Sequence, residues 1–304
     1  MTKEEKSRLR ADLFRHLDGI VTAPTAFSLH QKGVLAYLLE EKSTSLQNLT
    51  RVFGANEGYL NVALRVLASQ GWLDYAIAGE HDVQVKVNVN SAVAFELAPL
   101  YEEVVDLIQF SEHFHRRRFE REPFRFLERI FKSYTDQYGI TLSKEEATRK
   151  IQLQVLQHIE GIIIGPTVVA LGMSGMFHKY FMEASFKPEE FHEDADSFKR
   201  LLDIFVFFGW FQKNKGTYRF TDKGLFFARR ASAYGVTVSY LPTFRKIDEL
   251  LFGNPKVLWE APPGAPEIHV DREMNVWGSG GAHTNYFRVI DEVIIDLFNR
   301  PIEE

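Results

Sequence analysis

The spacing of apolar residues predicts four helices in the first 70 positions. The first, over residues 5–20, is expected to end before Pro24, because proline interrupts helical hydrogen bonding. Two more follow over 27–39 and 45–53. The fourth begins near residue 57, stops at Gly71, and carries an apolar stripe on one face. That stripe consists of Leu60, Ala63, Leu64 and Leu67.

The pattern changes from helical spacing to alternation after Gly71. Trp72-Leu73-Asp74-Tyr75 leads to a turn at Ala78-Gly79, and four valines then occupy every second position between residues 83 and 89. Alternating β-branched residues are typical of a strand. Three helices followed by a hairpin is the plan of a winged helix.

The same plan returns in the second half of the chain. Gly175-Met176-Phe177 repeats the pattern of Gly33-Val34-Leu35, and Gly209-Trp210-Phe211 repeats that of Gly71-Trp72-Leu73. A repeat of this kind indicates a duplicated unit. We therefore predict a mainly α protein with tandem winged-helix modules joined by a helical segment. The predicted boundaries are a first module at 1–91, a helical connector at 92–167, a second module at 168–252, and a linker with an amphipathic helix at 253–304.

The last 50 residues contain the candidate ligand-binding positions. Residues 253–270 are rich in proline, Gly278–Gly281 is predicted to be a flexible hinge, and 285–298 to form an amphipathic helix. Aromatic and hydrogen-bonding groups next to a helix start suit a ligand pocket. The candidates are His283, Asn285 and Tyr286.

Composition excludes several classes of function. The 304 residues include no cysteine, which excludes disulfides and zinc–thiolate sites. The charged N-terminus does not resemble a signal peptide, and the apolar run 162–173 is too short to span a bilayer. We expect a cytoplasmic protein that does not bind membranes. His113 and His115 fall on different faces of a helix, so no metal site is predicted.

DNA binding is the first alternative that tandem winged helices suggest. The net charge is −5, and the two candidate recognition helices, 57–70 and 196–208, carry as many acids as bases. Because affinity for DNA depends on cations over the phosphates, we expect only weak and salt-sensitive association. A scaffold or dimerisation module, with a possible homodimer, is the second alternative. No catalytic residue can be named from a motif.

The run from Ala26 to Leu73 resembles the N-terminal winged-helix region of class I S-adenosylmethionine-dependent methyltransferases of the O-methyltransferase type. Residues 168–252 resemble that region again, and 277–302 are similar to the helix that precedes the cofactor domain. The large helical front half also resembles methyltransferases of polyketide synthase assembly lines. The resemblance implies a non-catalytic lid and dimerisation region that covers a small-molecule or acyl-carrier-bound substrate.

The resemblance also implies a cofactor and a partner. S-adenosylmethionine is expected in the full-length protein, but no cofactor is expected for this chain alone, because the glycine-rich strand turn of the family is missing. That motif would follow Pro301-Ile302, and the sequence ends at Glu304. The partner would therefore be the missing catalytic methyltransferase domain. His283, Asn285 and Tyr286 would contact cofactor or substrate from this side.

Overall fold

The fold is known from a computed structural model that describes residues 1–78, 82–109, 121–262 and 264–300. The side chains of 121–125, 281, 282, 284 and 285 lie outside that description, as do His113 and His115. The described chain is mainly helical, with short antiparallel strands, as predicted.

The first half of the chain contains six helices and three strands within the described residues. In chain order they are α1 (Lys3–Gln31), α2 (Val34–Glu41), β1 (Ser43–Ser45), α3 (Leu46–Phe53), α4 (Glu57–Ser69), β2 (Leu73–Ile77), β3 (Val83–Val87), α5 (Ser91–Leu97), the 3-10 turn Ala98–Tyr101 and α6 (Glu102–Ile108).

The second half repeats this order after a connecting helix. The elements are α7 (Arg121–Thr135), the 3-10 turn Gln137–Gly139, α8 (Glu146–Met173), α9 (Lys179–Glu183), the 3-10 turn Pro188–Glu190, α10 (Ala195–Phe207), β4 (Phe211–Asn214), β5 (Thr217–Phe220), α11 (Asp222–Ala228), α12 (Ser232–Ser239), α13 (Leu241–Phe244), α14 (Ile247–Phe252), the 3-10 turn Pro255–Leu258 and α15 (Arg272–Phe298).

The first winged helix consists of α2, α3, α4 and a three-stranded sheet. The sheet has the order β1-β3-β2 and is antiparallel throughout. The predicted stripe of α4 is buried. Gly71 ends the helix with a φ of 76°, a value that favours glycine, and the Trp72 amide donates to the Leu67 carbonyl.

The second winged helix has the same plan with shorter elements. Strands β4 and β5 form its hairpin, and Phe186 pairs with Tyr218 of β5 where β1 pairs with β3 in the first module. Gly209 has a φ of 74°, and the Trp210 amide donates to the Phe205 carbonyl. Trp72 and Trp210 are both buried and follow equivalent helix ends. The prediction of a repeated Gly-Trp unit is therefore confirmed.

The core forms where α1 and α8 pack along each other. The prediction that α1 ends before Pro24 is wrong, because the helix continues to Gln31, and α8 likewise continues past Pro166. The threonine after each proline makes the same local hydrogen bond to the carbonyl four residues earlier. Thr25 donates to the Val21 carbonyl at 2.8 Å, and Thr167 donates to the Ile163 carbonyl at 2.7 Å.

Helix α8 is long and apolar enough to cross a membrane by length and composition alone. Within its most apolar window, however, 83% of the residues are buried inside the protein. Its partners there include α1, α5, α7 and α12. This burial is typical of the central helix of a helical core.

Candidate functional site

The C-terminal helix α15 contains all three predicted ligand-binding positions. It begins at Arg272, so the predicted hinge at Gly278–Gly281 is wrong: these glycines are helical. The physical reason is a close crossing with α12. A Cβ atom on Gly278 would lie 2.6 Å from the Val236 nitrogen, and one on Gly235 would lie 2.7 Å from the Gly278 Cα. Glycine here permits close helix packing.

The first half of α15 is anchored to the second winged-helix module. Met274 is buried, and the Trp277 ring packs beside Gly172 of α8 and Gly235 of α12. Asp271 caps the helix by accepting from the Met274 amide. The face that carries residues 274 and 278 therefore contacts the rest of the chain.

The second half of α15 presents a different face to solvent. At about 100° per residue, most of the exposed apolar positions fall roughly half a turn away from Met274 and Gly278, whereas Ile295 falls on the line of Trp277. Arg288, Glu292 and Asn299 instead continue the line of the buried face. The exposed stripe, which we call the distal face, consists of Val276, His283, Phe287, Ile290, Ile294 and Leu297, with Tyr286, Val289 and Val293 beside it.

The predicted site residues divide between these two faces. His283 is exposed on the distal face, with its ring 5.7 Å from the Phe287 ring, and Tyr286 is 68% exposed beside it. Position 285 lies about one helical turn after residue 281, on the face opposite the distal face. The helix therefore brings His283 and Tyr286 together and separates both from position 285, whose side chain lies outside the described part of the chain.

A second group of polar side chains lies at the crossing of α1 and α8. His16 of α1 and His158 of α8 are both buried. The His16 Nδ1 lies 2.7 Å from the Tyr234 hydroxyl, and the His158 Nδ1 lies 2.7 Å from the Tyr101 hydroxyl. Each half of the chain thus supplies a tyrosine to the histidine of the other half.

Two glycines allow the helices to cross this closely. Gly19 lies against the backbone of His158, and Gly161 lies against the backbone of His16, so a Cβ atom at either position would overlap main-chain atoms. The contacts are reciprocal: each histidine has a glycine three residues later that packs on the other histidine.

The two histidines differ at their second nitrogen. The His16 Nε2 lies 3.5 Å from the Oε1 atom of Glu160. The other carboxylate oxygen of Glu160, Oε2, accepts from the Tyr134 hydroxyl at 2.8 Å. Among the described residues, no group hydrogen bonds to the His158 Nε2. Burial, with smaller contributions from Arg15 and His16, lowers the pKa of His158 to about 3. His158 is therefore held neutral in the folded chain.

The pKa values of the two carboxylates beside the crossing shift in opposite directions. Burial tends to raise the pKa of Glu160, but the hydrogen bonds from His16 and Tyr134 prevail and lower it. Asp18 is the residue equivalent to Glu160 in the first copy, and burial raises its pKa. Because His16 and His158 are buried in the helical core, we interpret the crossing as a structural junction.

A long-range repeat in the sequence could have revealed this junction. His16-Leu17-Asp18-Gly19-Ile20 is matched 142 residues later by His158-Ile159-Glu160-Gly161-Ile162. Both segments then reach Pro-Thr after three more residues. The sequence-based reasoning placed the start of the repeat too late and so missed it.

The described part of the chain contains no group of three His, Asp or Glu side chains that could hold a metal ion.

Three segments of the chain match families that are all named for AprA. Residues 9–75 match the AprA N-terminal domain, 160–254 match the AprA winged helix domain, and 267–304 match the AprA MT2-like domain. No curated protein gives a significant match. The three segments follow one another without overlap. Together they make the chain similar to a region associated with a methyltransferase.

More particularly, these three segments of the chain are similar to domains of AprA. Helix α15 falls wholly within the segment that matches the methyltransferase-like domain, yet its first half packs on the winged-helix part. It therefore physically joins the two.

Proposed function

We propose that this chain is the non-catalytic substrate-binding, lid and dimerisation region of an S-adenosylmethionine-dependent methyltransferase. One observation carries the proposal: the distal face of α15 is exposed, apolar, and part of the segment similar to the AprA MT2-like domain. Leaving each large apolar side chain in water forfeits roughly 1.5–3 kcal/mol. A catalytic methyltransferase domain is the partner proposed to cover it.

The geometry of α15 indicates on which side of the helix this partner would bind. Its winged-helix contacts use one face, and the distal face points roughly the opposite way. The methyltransferase domain would therefore lie across α15 from α12. When this domain is absent, the same face can pair with a second copy, which accounts for the proposed homodimer.

The proposed ligand contacts follow from this arrangement. His283 and Tyr286 lie at the start of the distal face and would contact the cofactor or substrate held by the partner domain. Asn285 is proposed as a third contact, from a backbone position on the opposite face of the helix. S-adenosylmethionine would bind to the catalytic domain and not to this chain alone. The acceptor would be a small molecule or an acyl-carrier-bound substrate in the cytoplasm.

DNA binding has weaker support, because Arg200, one of the two cations of the second candidate recognition helix, already has an acidic partner. Arg200 of α10 lies 3.2 Å from Glu128 of α7, and α10 itself contributes Asp203, which pairs with Lys213 of the wing at 2.7 Å. A groove-binding helix needs cations directed at phosphates. We therefore retain DNA binding only as the alternative.

The test is a paired substitution in a polypeptide that includes the methyltransferase domain. Ile290→Asp with Ile294→Asp places two charges on the distal face, and we expect methyl transfer to fall at least roughly tenfold because burying an unpaired charge is costly. Arg288→Asp, on the polar face of the same helix, is the control and should retain activity. Unchanged activity in the double variant, with an unchanged oligomeric state, would overturn the proposal.

A further inference from the structure

A surface cavity beside the N-terminal end of α1 is lined by cations that the function proposed above does not use. It has a volume of about 490 Å³ and lies between the first turns of α1 and one face of α11. Helix α11 contributes Asp222, Leu225 and Phe226, and the two residues that follow it contribute Arg229 and Arg230. Lys6 of α1 completes the basic lining.

These cations are not neutralised within the described part of the chain. Lys6, Arg229 and Arg230 have no carboxylate at ion-pair distance there, although the protein as a whole has a net charge of −5. The one acid of the cavity, Asp222, lies 3.7 Å from the N-terminal amine. The cavity therefore has an excess of positive charge.

One of the arginines is held in place by its neighbours. The Arg230 guanidinium lies 3.9 Å from the centre of the Phe226 ring, and its Nη1 donates to the Phe226 carbonyl at 3.0 Å. A fixed guanidinium loses less conformational freedom when it binds an anion. Its remaining N–H groups can donate to oxygens of a ligand.

The first half of the chain provides an internal comparison. Tyr101 and Tyr234 are equivalent, because each bonds the histidine of the other half. Five residues before them lie Glu96 and Arg229, and four residues before them lie Leu97 and Arg230. Counted from His16 and His158, the residue equivalent to Lys6 is Thr148. The repeated fold therefore forms without any of the three cations.

We propose that this cavity is an anion site that takes the phosphate of a phosphate ester. Arginine suits the task because its planar group can donate two parallel hydrogen bonds to phosphate oxygens. Leu225 and Phe226 add an apolar wall for the organic part of the ester. That the ester is the pantetheine arm of a carrier-bound substrate rests on the proposed function; the anion site itself does not.

The experiment measures binding to the 304-residue chain by calorimetry at low salt, with inorganic phosphate and pantetheine 4′-phosphate as probes. Arg229→Gln should weaken binding of the phosphate ester roughly tenfold, the loss of one charge-assisted contact. Arg229→Lys should restore part of it. Arg149→Gln removes an exposed arginine of α8 and serves as the matched control, which should bind like the wild-type chain.

A second variant changes the affinity in the opposite direction. Asp222→Asn removes the acid from the cavity and should strengthen binding roughly threefold by relieving repulsion. Equal affinity of the wild-type chain and Arg229→Gln for both probes would overturn the anion site. Tighter binding of the ester than of inorganic phosphate supports a pantetheine arm, whereas preference for inorganic phosphate rules that source out. Loss of the proposed methyl-transfer role would leave phosphate binding intact.

Discussion

The surroundings of His16 and His158 show how two copies of one motif diverge inside a shared core. Both histidines are buried, both accept or donate through Nδ1 to a tyrosine of the other half, and both precede a glycine at the helix crossing. Only His16 has a carboxylate beside its second nitrogen. The histidines, tyrosines and glycines that the two copies share determine how the helices cross. The carboxylate beside His16 makes the charge differ between the surroundings of the two histidines.

The connector helix is a further difference between the surroundings of the two copies. Helix α7 lies against the second copy, where Tyr134 bonds Glu160 and Phe131 packs on Phe207 and Phe208. In the first copy, Ser69 and Gln70 occupy the positions that match Phe207 and Phe208 when counted back from the closing glycines. Polar residues there need no covering helix. The comparison indicates that the extra helix and the aromatic surface belong together.

The largest expected effect tests what the two copies share. Gly19→Ala and Gly161→Ala should each lower the free energy of unfolding by about 3 kcal/mol or more, since the new methyl group would force the helix backbones apart. Urea unfolding measures both. Gly58→Ala, in a helix where the added methyl group meets nothing within 4 Å, is the control and should be neutral or slightly stabilising. A tolerated substitution at one crossing glycine alone would break the equivalence.

The next largest effect concerns the pH dependence of stability, which tests the difference between the two histidines. Because the folded pKa of His158, about 3, is below the usual 6.5, its contribution to stability is complete above pH 6.5 and is lost as the pH falls toward 3. The expected slope is at most about 1.4 kcal/mol per pH unit. Urea unfolding between pH 7.5 and 5 should show a shallower slope for His158→Gln than for the wild-type chain.

His30→Gln provides the matched control for this pH series, because His30 is exposed at the end of α1. It should leave the slope unchanged. If His158→Gln and His30→Gln behaved alike, the buried and neutral state inferred for His158 would be wrong.

The smallest effect tests the connector helix. Tyr134→Phe removes the hydrogen bond to Glu160 and should lower the free energy of unfolding by about 1 kcal/mol. It should also raise the pKa of Glu160, since that bond helps to keep it low. The measurement is the acid limb of the stability curve, which should move to higher pH. Tyr59→Phe, on the first copy, should leave that limb in place.

Sequence patterns predicted the parts of this fold that depend on local spacing. The buried stripes of α4 and α10, the closing glycines and the two hairpins all follow from periodicity and turn chemistry. Prolines and glycines in helices misled the prediction, because their effect depends on distant partners. Pro24 is accommodated within a long packed helix, and Gly278 is helical because α12 passes directly against it.

The face of the last helix on which each candidate residue lies could be predicted only in part, for a similar reason. The apolar stripe of the last helix could be found from spacing, and His283 and Tyr286 share its exposed side. The helix begins 13 residues earlier than position 285, where the sequence placed its start, so the helical phase puts that residue on the other face. The histidine–tyrosine junction joins residues 57 and 218 positions apart, beyond the reach of any local pattern.

The reciprocal crossing of α1 and α8 has a consequence for how such a protein can evolve. Reciprocal contacts, in which the same positions of each unit contact the other unit, are typical of a symmetric dimer of identical chains. Joining two such units in one polypeptide lets each sequence change without the same change appearing in its twin. Glu160 against Asp18, and Arg229 against Glu96, are differences that no symmetric pair of identical chains could carry. Covalent fusion thus allows one half to carry a charged surface that the other half lacks.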